Sequence, residues 1–168
     1  MQAKLTPAHD HVRWQWAAEF SRSDADRARR LLRAAEVAVQ AGQPERARQL
    51  LASGAHLLVD ALGRARSQAL LGAIEMRHGS PEAAYHLLLE AAGALQAHDP
   101  AASLDTLVLA GEAATFLGDP RLTLEVSARA TALRETGAAV DGSVVDLLVG
   151  LGKLFEGNWA EARESWQE

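Results

Sequence analysis

At 168 residues the chain has the length of one domain and can bury a core without metals or cross-links. It has no cysteine, which excludes a disulfide frame and thiolate metal sites, and its net charge of −5 argues against broad attraction to nucleic-acid phosphates or anionic lipid. Apolar residues make up 48% of the sequence, mostly Ala and Leu with little aromatic content, a composition that favours helices.

In chain order, helices are expected at 7–20, 24–41, 44–62, 64–78, 81–97, 101–117, 120–135, 143–156 and 158–168. The first is capped by Thr6 with Pro7 at its first position; Val12, Trp16 and Phe20 share one face, and Trp14 and Ala18 point away from it. Residues 7–22 thus read as an amphipathic helix capping the first unit, with Trp14 either partly exposed or held in an interface. Arg22, Arg27, Arg29, Arg30 and Arg33 follow, interleaved with Asp24, Asp26 and Glu36, the pattern of a solvated helix face. In the third helix Ala47, Leu50, Leu51, Gly54, Leu58 and Ala61 form one stripe, as do Ala84, Leu87, Leu88, Ala91 and Leu95 in the fifth. The eighth, SVVDLLVGLGKLF, carries only Asp146 and Lys153 as charges. It is either a core helix buried on several sides or a helix with one side open to a partner. The last stretch, GNWAEARESWQE, places Trp159, Ala162 and Trp166 at helical spacing and reads as a truncated final unit of a longer polypeptide.

The sequence also repeats. Gly42, Gly79, Gly118 and Gly157 each separate two helical segments, at spacings of 37, 39 and 39 residues. Seven residues before each glycine lies a small residue, Ala35, Gly72, Gly111 or Gly150, and five residues after it lies Ala47, Ala84, Thr123 or Ala162. Small side chains at these offsets let the two helices of a hairpin approach closely. Pro44, Pro81 and Pro120 follow the glycines by two, where a helix begins, with Ser80 and Asp119 as caps, and the glycines suit the left-handed position that closes the preceding helix. Asp99-Pro100 and Gly137 with Asp141 and Ser143 mark the longer connections. One domain results, with units at about 24–62, 64–97, 101–135 and 143–168.

A small residue, a turn glycine seven later and an alanine five beyond it resemble the tetratricopeptide repeat, GNWAEA in particular, although the period is longer than that family's ~34. LLRAAEVAVQAGQPERARQLL and LLGAIEMRHGSPEAAYHLLLEAA resemble the helical-repeat region of the large ATP-binding regulators of the LuxR family, best over 24–135. The resemblance implies an all-α, right-handed superhelix of about four antiparallel helix pairs plus an N-terminal helix. The chain lacks a GxxxxGK[ST] phosphate loop and a recognisable DNA-reading module, so ATPase activity and DNA contact are not carried over. The resemblance further implies that the first helix of each unit lines a concave groove, with Leu32, Glu36 and Val39, Met76 and Arg77, Glu112 and Phe116, and Leu147, Leu151, Leu154 and Phe155 among its lining. Such a groove suits an amphipathic helix or an apolar small molecule.

Catalytic chemistry is thin. His9 and His11 are wrongly spaced for one helical face, His78 and His98 sit where helices end, and His56 and His86 lie on second helices with no His four residues on. No nucleophile, base and orienting acid can be assembled, so no enzyme, metal or cofactor is expected. The leading expectation is a non-catalytic, signal-transmitting interaction domain of a bacterial transcriptional regulator, binding its own further domains, a homodimer partner or a peptide. An effector-sensing domain and a stand-alone adaptor are the alternatives. Trp14, Leu151, Phe155, Trp159 and Trp166 are the candidate interface residues. The N-terminal MQAKLTPAHDH has no hydrophobic signal core and no apolar run is long enough for a bilayer, so the expected location is cytoplasmic, without membrane contact.

Overall fold

The computed structural model describes residues 7–166, with the side chains of 11–166. Thr6, the side chain of His9 and the end of the 158–168 helix therefore lie outside the described residues. The described chain is all-helical: α1 (Pro7–Glu19), α2 (Asp24–Gln40), α3 (Pro44–Gly54), a 3₁₀ turn (Ala55–Leu57), α4 (Ala61–His78), α5 (Pro81–Leu95), α6 (Pro100–Leu117), α7 (Pro120–Glu135), α8 (Gly142–Phe155) and α9 (Trp159–Glu164). None of its helices is long and apolar enough to cross a membrane.

Local chemistry explains most of these boundaries. Proline opens α3, α5, α6 and α7, where its missing N–H has no intrahelical partner to lose. Caps are provided by Ser23, Asp60, Ser80, Asp99, Asp119, Asp141 and Asn158, each accepting a hydrogen bond from a backbone N–H two or three residues on. Gly42, Gly118 and Gly157 take φ of +71°, +66° and +81°, the left-handed turn expected of them. Gly79 does not: its φ is −146°. At Gly42 and Gly157 the next residue's N–H reaches a carbonyl five residues back, Gln43 to Ala38 and Asn158 to Lys153. At Gly79 the corresponding N–H of Ser80 turns to the Glu75 carboxylate at 3.4 Å, so a side chain replaces the carbonyl that the left-handed turn would use. Arg48 holds that carboxylate from α3 at 3.0 Å.

Both columns of small residues are buried: Ala35, Gly72, Gly111 and Gly150 on the first helices, Ala47, Ala84, Thr123 and Ala162 on the second. A methyl group on Gly72 would stand 2.7 Å from Leu88 Cγ, and one on Gly111 3.2 Å from Leu148 Cδ2, so these glycines are sites of close approach. The substantial contacts join consecutive helices, and the even-numbered helices also touch one another in turn, α2 with α4, α4 with α6 and α6 with α8. Two apolar clusters result. One gathers Ala18, Leu31, Ala34, Ala38, Leu50, Leu57 and Ile74, and the other Tyr85, Leu88, Leu104, Leu107, Val126, Leu133, Val145 and Leu148.

Three further expectations are corrected. Helix α3 ends at Gly54 and not at 62, which leaves His56 in the 3₁₀ turn and not on a second helix. Gly54 packs against Leu31 and the chain turns there, so that Leu58 stays buried from outside the helix, while Asp60 caps α4 and Ala61, its first residue, is exposed. The packing face of α1 is the reverse of the expected one: Ala18 is 1% exposed, whereas Trp16 and Phe20 are 62% and 83% exposed. Only a small side chain fits where α1 meets the alanine-rich α2. Arg30 leaves its solvated face to donate to the Ala17 carbonyl and to Ser21 Oγ, fastening the end of α1.

Candidate functional site

Helices α6 and α8 lie side by side, and between them opens a recess of about 340 Å³. Its floor is Gly111 and Leu148, both buried, and its walls are Val108, Phe116, Leu147 and Leu151. Gly111 creates the depth, because a side chain there would meet Leu148. Phe116 is 78% exposed and Leu147 46%, large apolar groups that water contacts in the absence of a partner. Polar character is confined to the rim, where Glu112 and Thr115 sit on α6. Asp105 belongs to the same α6 stripe as Val108 and Glu112, at helical spacing, and is exposed.

Of the residues expected to line a groove, the structure brings together Glu112, Phe116, Leu147 and Leu151. Leu32 and Val39 instead pack against the first core cluster and Met76 against the second. Glu36 pairs with Arg33 at 2.6 Å, and Arg77 is exposed at the end of α4. Leu154 and Phe155 follow on α8 outside the recess, Phe155 being 41% exposed. The aromatic interface candidates Trp14, Trp159 and Trp166 are 40%, 69% and 46% exposed. Trp166 lies over Gly150, where any side chain would collide with the indole.

A second recess, of about 510 Å³, is walled by Leu58, Ala61, Arg64 and Ala65 with Gln68, Glu90 and Ala94. It was not foreseen, because it opens where α3 breaks off, and the apolar periodicity runs through that break without a signal. Its lining mixes charged, polar and small residues, and Gln68 donates a hydrogen bond to Glu90 across it at 3.3 Å.

Reactive chemistry is not assembled around either recess. No group of three or more His, Asp or Glu residues among the described ones could hold a metal ion. His11, on α1, is buried with its Nδ1 lacking a hydrogen-bond partner. The most perturbed proton site is Tyr85, whose phenol burial and the Glu125 carboxylate, 3.0 Å away, push well above its ordinary range. That hydroxyl also lies 3.4 Å from the Leu122 carbonyl and ties α5 to α7.

Comparison with protein-family models, with curated proteins and with solved structures finds no match to the chain.

Proposed function

We propose that the chain is a non-catalytic, protein-binding helical-repeat module, with tetratricopeptide-like helix pairs stacked as a right-handed superhelix. We further propose that it serves as the signal-transmitting repeat region of a cytoplasmic bacterial regulator of the kind its sequence resembles. The stacking is supported by the buried small-residue columns and by the run of contacts through α2, α4, α6 and α8. The observation that carries the binding role is the α6–α8 recess, an apolar hollow with the exposed Phe116 on its wall and Glu112 on its rim. Such a surface receives apolar side chains from a helix or loop and has nothing with which to transform them.

The test uses an amphipathic model helix of leucine and lysine, titrated calorimetrically. Saturable binding that Phe116→Asp abolishes supports the reading, and absence of binding overturns it. The size and apolar lining of the recess favour one second reading, an apolar small molecule held there, since about 340 Å³ falls at the lower end of small-molecule sites. Saturable binding of anilinonaphthalene sulfonate, lost in the same variant while the peptide fails to bind, would select that reading.

A further inference from the structure

We infer that the recess receives the N-terminal end of a second copy of this chain, giving a head-to-tail assembly. The inference rests on the protein-binding reading of the recess and names its occupant.

The two halves of such a contact lie on one sequence. At the end of α1, Trp16 and, just past the helix, Phe20 stand four residues apart on one side, 62% and 83% exposed. Single exposed apolar residues are ordinary on protein surfaces, but two aromatics one helical turn apart form a patch. The recess is the counterpart in scale: a hollow of about 340 Å³ holds one or two aromatic rings.

Charge divides the same way. Residues 11–50 carry eight arginines against five carboxylates, whereas residues 99–166 carry eleven carboxylates against five cations. Two residues after Phe20 Arg22 is exposed, and on the recess rim Glu112 is exposed, with Asp105 exposed two turns earlier on the same helix. Opposite charges around an apolar contact set its orientation and speed encounter more than they deepen affinity.

The contact must be between molecules. Helix α1 packs on α2, and every substantial helix contact joins elements no more than two apart in chain order, so α1 does not reach α6 or α8 of its own chain. Two different surfaces meeting in this way form a heterologous contact, which propagates into a ring or an open chain rather than closing as a symmetric pair. Two aromatic side chains cover a few hundred Å² per partner, less than the ~800 Å² of a stable complex, so the association is weak and depends on concentration and salt.

Sedimentation velocity of the full chain tests this, with Phe20→Asp and Phe116→Asp as variants; both side chains are about 80% exposed, so neither is needed for folding, and circular dichroism checks that. The wild type is expected to gain mass from low to high micromolar concentration and to lose it in about 0.5 M salt, where charges beyond a few ångströms are screened. Each variant alone is expected to weaken association by about tenfold or more. An equimolar mixture of the two is expected to form a one-to-one dimer and nothing larger, because each variant retains the half the other lacks. A wild type that remains monomeric at every concentration and salt, variants that assemble normally, or a mixture that does not pair would each overturn the inference. If the wild type is monomeric while the leucine-lysine peptide still binds at Phe116, self-docking fails and the protein-binding reading stands.

Discussion

The hairpins α4–α5 and α8–α9 follow the same local plan and end differently. In both, a glycine on the first helix lets the second helix close in, Gly72 beneath Leu88 and Gly150 beneath Trp166, and an alanine five residues after the turn is fully buried, Ala84 and Ala162. The inner pair has a further hairpin packed on it through α6; Leu88 is 0% exposed. The outer pair carries a second helix of only six residues, and Trp166 stays 46% exposed. Repeat grammar thus sets the turn and the close approach, while the next layer decides whether the side chain above the glycine is fixed or free to move.

Substitution at the two glycines separates these roles. Gly72→Leu should be the most damaging change, costing about 3 kcal/mol in urea unfolding, because its side chain must displace the immobile Leu88, and the ~1 kcal/mol gained in helix propensity does not offset that. At Gly150 the corresponding collision is with an indole that can swing into solvent. Gly150→Ala should therefore lie within about 0.5 kcal/mol of wild type, helix propensity offsetting the lost indole packing, with tryptophan emission moving to longer wavelength. Equal losses at both sites would mean that the end hairpin is as constrained as the inner one.

Unit three departs from the alanine column at Thr123, and its hydroxyl is buried without a hydrogen-bond partner. Leaving such a group dry costs about 1–3 kcal/mol, so Thr123→Val, which keeps the shape and removes the oxygen, should stabilise the protein by about 1 kcal/mol in thermal unfolding. A loss of stability would reveal a partner for the hydroxyl. Between these effects in kind, Tyr85→Phe removes the bond to Glu125 and should cost about 1 kcal/mol, a modest value because that carboxylate is nearly half exposed.

The turns were legible because proline and glycine act within a few residues: Pro44, Pro81 and Pro120 open helices where expected, and Gly42, Gly118 and Gly157 close them. Burial of the small columns was legible for a related reason, since close approach leaves a compositional trace. The end of α3 was not, because Leu58 continues the apolar period and is buried from a different conformation. The packing face of α1 was misread because hydrophobicity ranks Trp16 and Phe20 above Ala18, while proximity to α2 demands the smallest side chain. For the recess, the resemblance to tetratricopeptide-like repeats pointed to Glu112, Phe116, Leu147 and Leu151, but its confinement to α6 and α8 depends on how deeply Leu32, Val39 and Met76 sink into the core, which the resemblance does not encode.

Acid should sharpen the contrast between second helices, as the smallest of these effects. Helix α5 is capped by the Ser80 hydroxyl, which has no proton to gain, and α7 by Asp119. The side chain of Arg121, and then its backbone N–H, hold the Asp119 carboxyl below its ordinary value of 3.8. A carboxyl lowered by folding contributes stability that is present above that ordinary value and is lost as pH falls through the lowered one. Arg66 and the backbone N–H of Ala102 act likewise on Asp99 at the start of α6, and Ser143 on Asp141 at the start of α8. Amide exchange measured as pH descends below about 4, after correction for the intrinsic rate, should therefore show the first turns of α6, α7 and α8 opening while the first turn of α5 is unchanged. Simultaneous fraying of α5 would assign the acid response to global unfolding and not to the aspartate caps.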